Sequence, residues 1–313
     1  MPKQILLLFE LEMVIGMTIK EFKYHEPQSF EEASVLLDRL APDAIIFAGG
    51  TDLLPLMKQN IINPRHLINI KSISGLDKIT VDDKINIGAL SKIGSIEKSQ
   101  ILKEKCNILT VAASHIAYAQ IQNLGTIGGN ICNASPASDF APALMILDSN
   151  VEIRNYKENK VISICDFFCG PGMTVLQPNE ILTGIQIPQQ NLGMRSTFKK
   201  LCSGTARGCA IVNLAILADI DDSSRTVNDM RIAVGAMGPT PIRCIETEKL
   251  LVGNKIEKQI LKEACCKLVG ETDPISDIRA SKDYRIEMIQ EILKDALLET
   301  SRRIEKIEKR NQS

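Results

Sequence analysis

Asn123-Leu124-Gly125-Thr126-Ile127-Gly128-Gly129-Asn130, trailed by Ser135-Pro136-Ala137-Ser138-Asp139, is the most informative run in the chain. Gly125, Gly128 and Gly129 sit between apolar segments, so the backbone is asked for a tight turn whose N–H groups no side chain covers, the makings of an anion cradle. A second such turn lies upstream at Ala48-Gly49-Gly50-Thr51-Asp52, after the strand-like Ala44-Ile45-Ile46-Phe47. Either turn alone does no more than redirect the chain. Together they can grip both sides of a dinucleotide pyrophosphate. Thr126 and Asn130 add hydroxyl and amide donors within the same short turn, which a phosphate site uses. Asp139 can accept from a ribose hydroxyl or a ring N–H, or cap a helix.

The chain has 313 residues, 44% of them hydrophobic, enough for more than one core and about two domains. A net charge of −1 points to neither a nucleic acid nor a membrane surface as the partner. Nine cysteines, without CxxC pairs or the spacing of a secreted disulfide scaffold, read as reduced thiols in a cytoplasmic protein, and no metal site is assigned. Residues 1–16 carry one short apolar run, Ile5-Leu6-Leu7-Leu8-Phe9, ended by Glu10 and Glu12. That is too short for a signal core, and the segment is read as a loose extension ahead of Met17.

From Ser29, the apolar positions Phe30, Ala33, Leu36, Leu37 and Leu40 recur at helical spacing, with Glu31 and Glu32 in the first turn. Ala44 to Ala48 is a buried strand, and Thr51 or Asp52 can cap the helix that follows, with Pro55 in its first turn. His66–Ile70 and Lys84–Ala89 are predicted strands, Ile93 to Ser114 mostly helical, Ala141–Leu147 a short packed helix, and Asn150–Arg154 and Asn179–Pro188 strands. Polar Gln189 to Arg195 is the predicted domain boundary. Beyond it Ala210–Ala218 and Met230–Gly235 read as an antiparallel pair joined through Asp221-Asp222-Ser223-Ser224. Ile286, Ile289, Leu293 and Leu297 mark a helix face, and residues 303–313 form a charged tail.

Known nucleotide-binding and catalytic signatures are missing. Gly170-Pro171-Gly172-Met173 lacks the third glycine of a Rossmann fingerprint, and there is no Walker A run or nucleophile elbow. His25, His66 and His115 stand apart without zinc-type spacing. No catalytic residue is assigned. Chemistry that leans on few side chains suits this picture, and a flavin ring supplies it.

The two glycine turns with Asp139 resemble the FAD-binding subunit of molybdenum hydroxylases, the xanthine dehydrogenase and carbon monoxide dehydrogenase medium-subunit family. Further similar stretches are Phe168-Cys169-Gly170-Pro171-Gly172-Met173-Thr174, Phe198-Lys199, Arg231–Ala236, Pro239-Thr240-Pro241-Ile242-Arg243, and Pro274–Ser281 followed by Tyr284-Arg285. The resemblance implies an α+β fold. An FAD-binding domain of the molybdopterin dehydrogenase (PCMH-like) type, residues 17–190, would comprise two α/β subdomains of about 17–75 and 76–190. A C-terminal domain of residues 191–302 would hold a small antiparallel sheet with helices. It also implies a cofactor site. Ile46, Phe47, Ala48, Gly49, Gly50, Thr51, Asp52 and Leu53 would wrap the pyrophosphate, and Gly125, Thr126, Ile127, Gly128, Gly129 and Asn130 would contact FAD from the other side. Asp139 and Lys199 would touch the flavin, and Leu182 would pack beside its ring. Two departures stand out: Gln122 where relatives commonly have Arg, and Cys202–Cys209 in place of a more charged loop.

What the resemblance implies for function is an electron-transfer subunit with one FAD. It would work with a small [2Fe-2S] subunit and a large molybdopterin subunit, as a dimer of heterotrimers, with NAD or another acceptor taking the electrons. Asn130-Ile131-Cys132-Asn133 and Pro239–Cys244 look closest to bacterial xanthine dehydrogenase subunits, which points to a purine substrate for the complex. Two alternatives stay open: the medium subunit of a carbon monoxide, nicotinate or aldehyde dehydrogenase, and a non-redox binding or assembly protein on the same scaffold.

Overall fold

A computed structural model describes residues 19–205 and 207–302. The expectations for residues 1–16 and 303–313 lie outside the described residues.

The first unit runs β1 (Lys23–His25), α1 (Phe30–Leu40), β2 (Ala44–Phe47), α2 (Leu53–Lys58) and β3 (His66–Asn69). Its strands form a parallel sheet in the order β1-β3-β2. Ser29 starts α1 by accepting from the Glu32 N–H at 3.1 Å, and the Glu32 carboxylate reaches back to the Gln28 N–H at 2.9 Å, so reciprocal bonds satisfy the helix entry. Phe30, Ala33 and Leu37 turn the apolar face of α1 onto Ile68 and Ala44.

The second unit begins with β4 (Ile79–Val81) and β5 (Lys84–Gly88). The predicted Ile93–Ser114 helix is three short ones: α3 (Ile93–Lys98), α4 (Gln100–Lys105) and α5 (Asn107–Ser114). Ser99 breaks the first from the second with extended backbone and caps the latter through its hydroxyl, and Cys106 breaks the second from the third. Then come α6 (Ala119–Gln122), α7 (Ile127–Cys132), α8 (Phe140–Ile146), β6 (Asn150–Arg154), β7 (Asn159–Ser163), the hairpin strands β8 (Phe168–Gly170) and β9 (Met173–Thr174), and β10 (Ile181–Pro188). An antiparallel sheet in the order β4-β5-β10-β6-β7 backs these helices. Every residue of α8 is buried. Such an all-round apolar helix survives only inside a core, where each large side chain removed from water contributes about 1.5–3 kcal/mol.

Residues 189–194 lead into the third unit: β11 (Arg195–Cys202), β12 (Ala210–Ile220), β13 (Val227–Gly235), β14 (Ile242–Arg243), α9 (Ile245–Leu251), α10 (Lys258–Gly270) and α11 (Lys282–Arg302). Its antiparallel sheet follows chain order, with Ala218 opposite Met230 and Lys200 opposite Asn213. Strand β12 is buried on both faces because side chains alternate. Ala215 and Leu217 join the core that holds α8, while Leu214 and Ile216 join Ile289, Leu293 and Leu297 of α11. Thus the third unit is packed directly against the second. Among the described residues no helix is long and apolar enough to cross a membrane.

Candidate functional site

The turn after β2 is built for close approach. Gly50 adopts φ +70, open to glycine at no steric cost, and a Cβ on Gly49 would fall 2.4 Å from the Leu124 carbonyl oxygen and 2.9 Å from the Gly125 Cα. The two glycine turns therefore abut each other. The N–H groups of Gly49, Gly50, Thr51, Asp52 and Leu53 donate to no group among the described residues, leaving a row of backbone donors at one end of a cleft.

The second turn is arranged differently from the expectation. The N–H groups of Ile127 and Gly128 donate to the carbonyls of Ser91 and Ala89 at 3.0 and 2.9 Å, Gly129 donates to Thr126 Oγ1 at 3.1 Å, and Asn130 to Thr126 O at 3.0 Å. Most of its amides are taken up in fixing the turn, and of the run from Gly125 to Asn130 the Thr126 N–H is left without an acceptor among the described residues, so the first turn supplies most of the anion-ready donors. A Cβ on Gly128 would meet Ala89 at 2.7 Å, so that glycine serves packing. Gly129 faces open space apart from Thr126 Oγ1 at 3.0 Å.

A cleft of about 640 Å³ opens between these turns and the third unit. Ile46, Ala48, Gly49, Gly50, Thr51, Asp52, Leu53, Gly125, Thr126, Gly129, Asn130 and Asp139 all line it, as do Ile116, Ile121, Lys200 and Arg207. Its size suits an extended small ligand.

Five expected contacts stand outside the lining. Ile127 is wholly buried in the core and Gly128 lies against Ala89. The Phe47 ring supports the turn from behind, packed on Gly50 and covered by Lys71 Nζ at 4.0 Å. Leu182 on β10 is a core residue. Lys199 is turned to the other face of β11, where its Nζ pairs with Asp295 at 2.7 Å and Glu299 at 2.6 Å on α11. Strand alternation hands the cleft to Lys200 instead.

Lys200 is the centre of a buried polar network. Its Nζ, on a side chain 2% exposed, meets Asp139 Oδ2 at 2.5 Å and the His115 carbonyl at 3.0 Å. The other oxygen of Asp139 accepts from Asn213 Nδ2 at 2.8 Å, which also donates to Ser138 O at 3.1 Å. Asp139 occupies the N-cap position of α8 without making a side-chain cap bond. Its carboxylate faces the third unit. Burial pushes the Asp139 carboxyl above its ordinary range, against the pull of Lys200 and Asn213. Burial lowers His115, whose ring packs on Phe198 with centroids 5.5 Å apart. Lys200 and Asn213 were missed as site residues. The signal for Asn213 was present, since it is the lone amide inside an apolar, doubly buried strand and so requires a partner.

Both departures from the family pattern find a place. Gln122 is buried and donates to the carbonyls of Ala113 and Ile116, both at 3.1 Å, tying down the wall that carries Ile116. Arg207, Gly208 and Cys209 of the loop after β11 line the cleft, and Arg207 donates to the Ala117 carbonyl at 3.3 Å across its mouth.

A dinucleotide fits this donor set: free amides where a Cβ could not be tolerated, apolar walls, and a buried cation at the floor. Comparison with known proteins agrees. Residues 20–190 match the family described as the FAD binding domain in molybdopterin dehydrogenase, and residues 197–300 match the CO dehydrogenase flavoprotein C-terminal domain. The chain belongs to the FAD-binding medium subunits of the molybdenum hydroxylases. It is 31% identical to the carbon monoxide dehydrogenase medium chain of Hydrogenophaga pseudoflava, over 88% of this chain and 96% of the relative. It is 30% identical to the xanthine dehydrogenase FAD-binding subunit of Escherichia coli O157:H7, over 88% and 94%. The solved carbon monoxide dehydrogenase from H. pseudoflava, in a form lacking the Mo-pyranopterin moiety, superposes with a TM-score of 0.86 over 90% of this chain and 97% of that one.

Proposed function

We propose that this chain is the electron relay of a three-subunit molybdenum hydroxylase, receiving electrons from [2Fe-2S] clusters on a small partner and passing them to NAD. Oxidation of the organic substrate belongs to a large molybdopterin partner. The described residues bring no group of three metal-ligating side chains together, so this reading assigns the metals to the partners. The observation that carries it is the cleft, with unpartnered amides at one end and the Lys200–Asp139 pair at the floor, in a chain whose two halves both match flavoprotein families.

Bound FAD would supply the one- and two-electron redox chemistry of the relay. In this reading the amides of Gly49 to Leu53 hold the pyrophosphate, Thr126 and Asn130 orient the dinucleotide, and Ile116 and Ile121 exclude water beside it. Lys200 presents a fixed positive charge at the floor. The purified chain is expected to be yellow and to bind one FAD. A colourless protein that takes up no added FAD would leave the assembly-protein reading in its place.

For the complex, we propose a purine substrate. Its support is the likeness of Asn130–Asn133 and Pro239–Cys244 to bacterial xanthine dehydrogenase subunits, together with the 30% identity to one of them. The similarity to a carbon monoxide dehydrogenase medium chain is of the same size, so the test is a panel. The assembled complex is expected to reduce NAD with hypoxanthine or xanthine. Turnover of carbon monoxide, nicotinate or an aldehyde, with none of either purine, overturns the purine assignment and leaves the relay role intact.

A further inference from the structure

Arg285, in the first turn of α11, is 2% exposed and does not touch the cleft. Its guanidinium donates to the carbonyls of Ile211 and, at 3.2 Å, Ala236, and to Asp277 Oδ1 at 2.7 Å. Nε is buried without a partner among the described residues. A buried arginine at that cost calls for a purpose.

The two carbonyls it ties together are the points from which the cleft floor hangs. Ile211 is the second residue of β12, two places before Asn213, which grips Ser138 O and Asp139. Ala236, the first residue past β13, is in a left-handed conformation at φ +59, and its N–H donates to Pro136 O at 2.7 Å. Between them the fit is close. A Cβ on Gly235 would meet Asn213 Oδ1 at 2.2 Å and Pro136 O at 3.2 Å. Ser135, Ala137, Ser138 and Asp139 of that suspended segment line the cleft.

Asp277 anchors the arginine from outside. It accepts from Arg279 Nε and Nη2 at 2.9 and 2.7 Å and from the N–H groups of Arg279 and Ala280 at 2.9 and 3.2 Å. Burial raises its carboxyl, but these bonds prevail and hold it below the usual carboxylate range, so it is an anion at neutral pH.

We propose that Arg285, braced by Asp277, is a positioning residue for the cofactor cleft: it locks β12 to the end of β13 so that Asn213 and Ala236 present Pro136–Asp139 in the geometry that receives the flavin. This rests on the reading that FAD occupies the cleft. Loss of Arg285 frees both carbonyls, lets the chain ends beyond the Asn213–Gly235 pair splay, and lowers the fit of the floor without removing any contact to the cofactor.

The test titrates FAD into the full-length protein and records dissociation constants and the visible circular dichroism of the bound flavin, at a temperature where far-ultraviolet spectra show every variant folded. Arg285→Met is expected to weaken FAD about tenfold or more and to change the flavin dichroism. Arg285→Lys, able to keep one carbonyl, should recover part of both. Leu297→Ala on the same helix, in the core away from the cleft, should lower the melting temperature with FAD affinity within about twofold of the parent. A folded Arg285→Met protein with parental affinity and dichroism overturns the proposal. Should that variant fail to fold, Asp277→Asn and Arg285→Lys decide: weakened FAD sustains the proposal and parental binding in both ends it. Failure of the parent itself to bind FAD would overturn the cofactor reading, a distinct outcome.

Discussion

Gly128 and Gly129 are neighbours with opposite tasks. Gly128 touches Ala89 where no Cβ fits, and Gly129 opens onto the cleft. Gly128→Val is expected to lower stability by about 1–3 kcal/mol in a urea melt, as overpacking does. Gly129→Val should keep the parental melt and weaken FAD about tenfold or more, because the valine occupies cleft space. The reverse assignment of the two effects would refute this division. A second pair separates in the same way. Lys199→Met breaks partly exposed ion pairs and should cost under about 1 kcal/mol with FAD binding kept. Lys200→Met strands the buried Asp139 and should cost about 3–5 kcal/mol while weakening FAD. Equal behaviour of the two variants would show that the face assignment on β11 is wrong.

At the level of elements, α8 is the piece that the site depends on. Asp139 at its start is held by Lys200 and Asn213, and Asp148 just past its end accepts from Arg243 Nη1 at 2.8 Å, Arg231 Nε at 2.7 Å and Asn191 at 3.0 Å. Burial pushes Asp148 upward, but the bonds and charges of Arg243 and Arg231 outweigh it and hold the carboxyl below the usual carboxylate range in the folded chain. A depressed carboxylate stabilises above its unfolded value and loses that contribution as pH falls through the folded one. Asp148→Asn is therefore expected to cost about 1–2 kcal/mol at pH 7, a figure discounted for its partial exposure, with the difference shrinking as pH falls below the ordinary carboxylate range toward the lower folded value. Urea melts at pH 7 and pH 3 check it, and a pH-independent difference would exclude the ion pairs as its source. Such pairings were invisible in the chain, since Asp148, Arg231 and Arg243 are far apart in sequence. The helices and strands with clean periodicity, such as α1, β2, β5, β6 and the β12–β13 pair, were legible. So were the cleft residues of the Gly49–Asp52 turn, because a second glycine run downstream made a two-sided grip readable where one glycine pair would only turn the chain. Lys199 is turned away from the cleft and Lys200 into it, a difference the sequence does not carry because a pair of adjacent lysines has no phase until the strand's facing is known. Leu182 lies in the core and outside the cleft lining, and an apolar strand residue looks the same in sequence in either place.

Taken whole, the molecule closes its cleft with walls from all three units: the turn after β2, the Ile116 to Asp139 region, and Lys200 with the Arg207 loop. A ligand seated there binds the folded chain and not the unfolded one, so it stabilises every wall at once. FAD at one hundred times its dissociation constant is expected to add about 2.7 kcal/mol to the free energy of unfolding, read as a rise in melting temperature that grows with FAD concentration. A melting temperature indifferent to FAD would mean that the walls are held together without it. The cofactor is then also a survival signal: in a cell short of flavin the subunit would open more often, meet proteases more often, and decline in abundance, so vitamin supply would govern how much of the enzyme exists as well as how much of it is coloured.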